Sequence, residues 1–113
     1  YEGYCSDITR TICVGRADAH QRERYDAVLA AQERALAALH PGVTGIEADR
    51  VARDALAEKN LAQYFGHGLG HSLEPGIYIP GWGGIRIEDT VLITHDGAEP
   101  LTHAPKEFIE ICI

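Results

Sequence analysis

Hydrophobic and polar positions follow three rhythms along this chain. Residues 3–14, Gly-Tyr-Cys-Ser-Asp-Ile-Thr-Arg-Thr-Ile-Cys-Val, are rich in β-branched and aromatic types. Their period of two predicts a strand with Cys5, Asp7, Thr9 and Thr11 on one face, so an acid stands in mid-strand. The spacing then turns helical from about Ala19 to Leu39, with Asp18 as N-cap and an apolar stripe of Tyr25, Val28, Leu29, Leu36 and Leu39. Gln32 is the polar interruption of that stripe, and Pro41-Gly42 ends the helix. Thr44 and Glu47 have the spacing of a capping box, in which hydroxyl and carboxylate each satisfy a backbone donor. They open a second helix to about Lys59, expected to bury Ile46, Val51, Ala52, Ala55 and Leu56.

After Phe65 the rhythm stops. Gly-His-Gly-Leu-Gly-His-Ser-Leu-Glu-Pro-Gly makes either regular element costly, so irregular backbone is expected there. Ile77-Tyr78-Ile79 predicts a short strand, residues 80–84 a turn, and Ile85 to Thr94 a longer strand. Asp96-Gly97 suggests a hairpin turn, with a return strand through Glu99 to Thr102 and a last strand from Glu107 to Ile113. Strand, two helices, then several strands favours α+β with an antiparallel sheet over a doubly wound parallel one.

Composition narrows the function classes. The 113 residues are 45% hydrophobic and 24% charged, the balance of one globular domain. Lys+Arg number 10 against 17 Asp+Glu, a net charge of -7, which disfavours a nucleic-acid partner. No apolar run reaches the ~18 residues of a membrane span. The first residues lack the basic start of a signal peptide, and the missing initial Met is expected of a piece of a longer protein. Cys5, Cys13 and Cys112 are too scattered for a disulfide framework or a thiolate metal knuckle, which points to a reducing, cytoplasmic setting.

The residues with chemistry cluster late in the chain. His67 and His71 stand four apart in non-helical, glycine-rich backbone beside Glu74. Arg86, Glu88 and Thr90 share one face of the predicted strand, opposite Ile85, Ile87, Asp89 and Val91. Histidines and carboxylates without thiolates suit Mn²⁺, Co²⁺ or Zn²⁺ in a working site better than a structural zinc. Alone, the Arg86–Thr90 face could equally be solvated strand, and Asp7 an ordinary exposed acid. Cys5 and Ser6 lack a nucleophile elbow, and the Gly66–Gly70 stretch lacks the Lys and helix of a phosphate loop.

Four segments in order, Gly3-Tyr-Cys-Ser-Asp-Ile-Thr-Arg-Thr11, His67-Gly-Leu-Gly-His71, Glu74-Pro-Gly-Ile-Tyr78 and Gly84-Ile-Arg-Ile-Glu-Asp-Thr90, resemble the successive motifs of the prolidase and aminopeptidase P family. The resemblance implies a pita-bread fold, a curved antiparallel sheet with covering helices. It also implies a metal-dependent exopeptidase that cleaves Xaa-Pro bonds, as dipeptidase or aminopeptidase, through a water activated by two divalent metal ions. Mn²⁺ is favoured over Co²⁺ or Zn²⁺. Carried over by residue, Asp7 and Glu88 would bridge the metals, and His71 and Glu74 would bind one of them. Glu74 would also shuttle the proton, His67 would hydrogen-bond substrate or intermediate, and Arg86 would orient substrate. A proline-containing peptide as substrate and a homodimer are further implied.

The family has another ligand Asp eleven residues before the position of Asp7, which would fall before Tyr1. It also has a long segment, with a His-Glu pair and a strand, where only Ser72 and Leu73 stand here. Residues 1–113 are therefore expected to be a partial catalytic domain, without the N-terminal domain. The alternatives are a metal-free, creatinase-like hydrolase, a peptide-binding relative of the same fold, and an acidic α+β interaction domain. A metal-free site would have no reason to gather carboxylates that repel one another.

Overall fold

The computed structural model describes residues 2–112. The predicted first strand forms as two pieces, β1 (Ile8–Thr9) and β2 (Ile12–Val14). The break has a cause in Thr11, whose Oγ1 donates to the Arg86 carbonyl (2.9 Å) and accepts from the Arg86 N–H (3.0 Å). A side chain thus takes the place of a strand backbone at that point. The glycine-rich stretch is irregular, as expected, apart from one 3-10 turn at Ala62–Tyr64 just before it.

Helix α1 (Ala19–Ala38) starts at Asp18, whose capping box with Gln21 is complete, and α2 (Gly45–Ala57) starts at Thr44 with its box to Glu47. The two helices form the most extensive packed pair in the molecule. Small residues make the contact: Ala27, Ala31 and Ala35 of α1 and Ala48, Ala52 and Ala55 of α2 are all buried, which lets the helices approach closely. Ile46 departs from expectation and is 75% exposed. At ~100° per residue it lies well round the helix from the buried face of Ala48, Ala52, Ala55 and Leu56, and Val51, at the edge of that face, is only half-buried. Leu29, Leu36 and Leu39 pack at the edge of the core, and the centre is held by Tyr25, Val28, Leu56, Ile77 and Ile87.

The run from residue 83 to 94 is divided by its partners into β4 (Gly83–Arg86), β5 (Glu88–Asp89) and β6 (Val91–Thr94). β4 pairs antiparallel with β3 (Gly76–Ile79), β5 with β1, and β6 with β7 (Gly97–Pro100) around the expected Asp96-Gly97 turn. β2 pairs in parallel with β8 (Ile109–Ile111), where an antiparallel sheet was expected throughout. A parallel pair needs a long crossover, and the whole of the chain between residues 14 and 109 supplies it. The predicted last strand is shorter than 107–113, and Ile113 lies outside the described residues.

Candidate active site

Three elements bring the acids and histidines together. Antiparallel register sets Thr9 opposite Glu88 and Ile8 opposite Asp89. The Asp7 backbone N–H donates to Thr90 Oγ1 (3.1 Å), and Thr90 Oγ1 donates to the Asp7 carbonyl (2.8 Å). Thr90 thereby fixes the last turn of chain before β1. From the glycine-rich loop His71 reaches in, its Nε2 4.0 Å from Asp7 Oδ2. One ligand atom each from Asp7, His71 and Glu88 lie within 4.8 Å of one another.

Glu88 is completely buried, yet only half its carboxylate is satisfied. Its Oε2 accepts from Thr9 Oγ1 at 2.6 Å and lies 3.9 Å from Arg86 Nε, whereas Oε1 is buried with no hydrogen-bond partner. Its other neighbour is a second acid. Desolvation, and then the nearness of the Glu88 carboxylate, push the Glu74 carboxyl above the ordinary range, with Arg86 and His71 pulling the other way. Gly70 makes room for Glu74, because a Cβ at Gly70 would fall 1.8 Å from Glu74 Oε1, and its φ of +83 suits glycine.

A buried carboxylate oxygen without a donor is costly. A divalent cation removes that cost and the repulsion between Glu74 and Glu88 at once. The donor set, imidazole and carboxylate oxygens, is that of Mn²⁺, Co²⁺ or Zn²⁺. The residues present therefore fit a metal.

His67 is set apart from this cluster and joined to it through Tyr78. Its Nδ1 lies 2.6 Å from the Gly68 carbonyl, and its Nε2 lies 3.0 Å from the Tyr78 hydroxyl. The same hydroxyl is the largest influence favouring the Arg86 cation. Arg86 Nε also donates to Thr9 Oγ1 at 3.1 Å. Tyr78 lies flat across β3 and β4, where a Cβ on Gly76 or Gly84 would come within 2.8 or 2.9 Å of it. All of the expected site residues thus lie in one connected region: Asp7, His71 and Glu88 in a tight cluster, Glu74 and Arg86 against Glu88, and His67 beyond Tyr78.

Two contributors escaped the sequence reading. Arg53 of α2 donates to the carbonyls of Phe65 (2.8 Å) and His67 (3.0 Å), stacks 4.4 Å over the Phe65 ring and pairs with Asp49. It ties the glycine-rich loop to the helix. Asp89, assigned to the apolar face, is fully buried there but bonded to Arg10 (2.8 Å), Lys106 (2.6 Å), Gln32 Nε2 (2.8 Å) and Thr102 (2.7 Å). Gln32 is therefore a hydrogen-bonding core residue, joined to Lys106 as well. A polar Gln32 amid helix alanines was the available hint. Trp82 packs against the core with Arg24 stacked on it at 4.3 Å.

Comparison with known proteins follows the same residues. The sequence pattern of metallopeptidase family M24 matches residues 1–74 and 72–95. A Xaa-Pro dipeptidase of Pyrococcus horikoshii is 42% identical over 135 residues, covering 96% of this chain and 38% of that protein. The solved Xaa-Pro dipeptidase of Bacillus anthracis superposes with a TM-score of 0.94 at 42% identity, covering 98% of this chain and 39% of the other. An X-Pro aminopeptidase of Thermotoga maritima gives 0.92 at 37% identity, with 98% and 39% covered. The pita-bread architecture is thereby established over this stretch. The chain spans about two fifths of the length of the relatives it matches.

Proposed function

The chain belongs to metallopeptidase family M24, and on that premise we propose that residues 1–113 are part of the catalytic domain of a metal-dependent exopeptidase that hydrolyses Xaa-Pro bonds. The observation that carries the reading is the buried Glu88 Oε1, without a donor, in a cluster with Asp7 and His71 and facing Glu74. Asp7 and Glu88 would bridge two divalent ions, and His71 and Glu74 would hold one of them. Mn²⁺ is favoured by the predominance of carboxylate oxygens. Such ions, when bound, lower the pKa of water and polarise a carbonyl.

The chain's own residues supply the rest. Glu74, with its carboxyl raised by burial beside Glu88, is suited to take a proton and return it to the leaving imide nitrogen. Both ring nitrogens of His67 are engaged, Nδ1 at the Gly68 carbonyl and Nε2 at the Tyr78 hydroxyl, so a substrate oxygen would replace Tyr78 at Nε2 and be met by a donor only with the ring protonated. Arg86 holds a fixed cation beside the cluster, where a substrate carboxylate would be drawn. The exposure of Asp7 and His71, whose side chains are 52% and 72% accessible, leaves this side open to a peptide.

Cys5, Cys13 and Cys112 are all free, which supports a reducing, cytoplasmic setting. No helix among the described residues is long and apolar enough to cross a membrane. A homodimer rests on the family resemblance alone.

The full-length protein, stripped by chelator and refilled with Mn²⁺, Co²⁺ or Zn²⁺, tests the reading on Xaa-Pro dipeptides and longer Xaa-Pro peptides. Cleavage restored by metal is expected, and the preferred length separates dipeptidase from aminopeptidase. Failure of every metal to restore cleavage overturns the proposal in favour of a metal-free relative.

A further inference from the structure

The backbone that carries both histidines has few ties of its own. Among the described residues, no N–H of residues 66–72 donates to a backbone carbonyl, and the far end of the stretch is held by the Glu74 N–H on the Leu69 carbonyl at 3.2 Å. The near end is held from α2. Arg53 Nη1 donates to the Phe65 carbonyl at 2.8 Å and Nη2 to the His67 carbonyl at 3.0 Å, one on each side of Gly66.

The guanidinium is itself aimed. Asp49, one turn earlier on α2, accepts from Arg53 Nε at 3.1 Å and from Nη2 at 3.2 Å. One edge of the planar group is thereby fixed on Asp49, and the remaining donors are turned to the loop. Its flat face is used as well. The guanidinium carbon lies 4.4 Å from the centroid of the buried Phe65 ring, and that ring meets the His67 imidazole edge-on, with centroids 5.1 Å apart at 85°. Arg53 therefore reaches His67 twice, through the carbonyl of His67 itself and through the ring against which the imidazole packs.

What this fixes is the tautomer. A carbonyl only accepts, so His67 Nδ1, 2.6 Å from the Gly68 carbonyl, carries the proton, and Nε2 accepts from the Tyr78 hydroxyl at 3.0 Å. Gly68 has the widest backbone freedom of any residue type, and the peptide before it is the one whose oxygen Arg53 holds. We propose that Arg53 is a positioning residue for His67, which fixes the imidazole with its proton on Nδ1 and does not act on Asp7, His71 and Glu88 at the other end of the loop. The effect on cleavage rests on the role given to His67 above, whereas the fixing of the ring does not.

Nitrogen-15 NMR of histidine-labelled, chelator-stripped full-length protein reads the ring directly, with His67 assigned by the signals lost in His67→Ala. At about pH 8.5, where a free imidazole is neutral, the parent should carry the His67 proton on Nδ1. Arg53→Lys keeps a cation facing Asp49 and loses the planar fork, and the proton should then redistribute between Nδ1 and Nε2. A tautomer unchanged in Arg53→Lys, or a parent with the proton on Nε2, overturns the proposal. Cleavage of an Xaa-Pro dipeptide by the Mn²⁺-loaded protein gives the second reading. Arg53→Lys should lower kcat/KM by about 10-fold or more, as displacing a positioned group does, while Mn²⁺ affinity read by calorimetry stays within about twofold. In a His67→Ala background the same change should alter kcat/KM by less than about twofold, since nothing is left to position. Effects that multiply, or an equal loss of Mn²⁺ affinity, make Arg53 a general support of the fold and overturn the proposal. A parent that cleaves no Xaa-Pro bond sinks the activity instead, and the tautomer then decides on Arg53 alone.

Discussion

Glu88 and Asp89 are adjacent, equally buried acids on opposite faces of one two-residue strand, and the protein treats them in opposite ways. Asp89 faces two cations and two neutral donors, from Arg10, Lys106, Gln32 and Thr102. Glu88 has one hydroxyl, a guanidinium at 3.9 Å, an unpartnered oxygen and an acid for a neighbour. A buried charge that the fold has already neutralised belongs to the architecture. One that the fold leaves open is a demand for something from outside. Arg10 marks the boundary between them: it pairs with the Asp89 side chain and also donates to the carbonyls of Glu88, Thr9, Ala104 and Pro105.

The sharpest way to break this contrast is to remove each acid in turn. Asp89→Ala strands Arg10 and Lys106 without their partner, and unfolding by urea should show a loss of about 3–5 kcal/mol. A loss below about 1 kcal/mol would mean that Asp89 is not the anchor described. Glu88→Gln should do the reverse. In chelator its unfolding free energy stays within about 1 kcal/mol of the parent, because an amide can donate to Glu74 where the carboxylate could not. Metal affinity, read by calorimetry on the full-length protein, should fall by more than the ~10–100-fold typical of losing a group behind a ligand. Unchanged affinity would remove Glu88 from the metal set.

A smaller effect is expected from Arg53→Ala, which frees the Phe65 and His67 carbonyls from α2. Two hydrogen bonds and a stacked cation are lost, and a stability decrease of about 1–2 kcal/mol should be measured by thermal or chemical unfolding. Wild-type stability would show that the glycine-rich loop holds itself.

Acid titration gives the mildest test. Burial on its own would raise the Asp89 pKa, but the bonds from Lys106, Arg10 and Thr102 outweigh it and hold the carboxyl below its ordinary value. A group depressed in the fold stabilises fully above its unfolded pKa, about 3.9, and loses that contribution as pH falls through the lower folded value. Stability followed by circular dichroism should therefore drop below about pH 4, and the drop should be shallower in Asp89→Asn. An identical acid limb in the variant would assign the loss to other carboxylates.

Much of this was legible from order and spacing. Both helix starts follow from Asp18 with Gln21 and Thr44 with Glu47, because a capping box is a local hydrogen-bond pattern that needs nothing from the rest of the chain. The glycine-rich loop and the Asp96-Gly97 hairpin were likewise readable, since backbone freedom belongs to the residue itself. So was the common face of Arg86, Glu88 and Thr90, a consequence of the strand's period of two. What the rhythm could not give was partnership. Residues 85–94 read as one strand after a turn at 80–84, and only their three different neighbours divide them and draw Gly83 and Gly84 into the first piece. The parallel pairing of β2 with β8, the exposure of Ile46 and the ion network around Asp89 depend on segments far apart in sequence.

The sequence by itself determined the helix limits to within two residues, the irregular loop and the residue types gathered for chemistry, since propensity, capping and periodicity act over a few residues. Only the tertiary structure decided which of two neighbouring acids is neutralised and which is left open. That difference is set by what packs against each face of a strand, where Lys106, Arg10 and Gln32 arrive on one side and Asp7, His71 and Glu74 on the other.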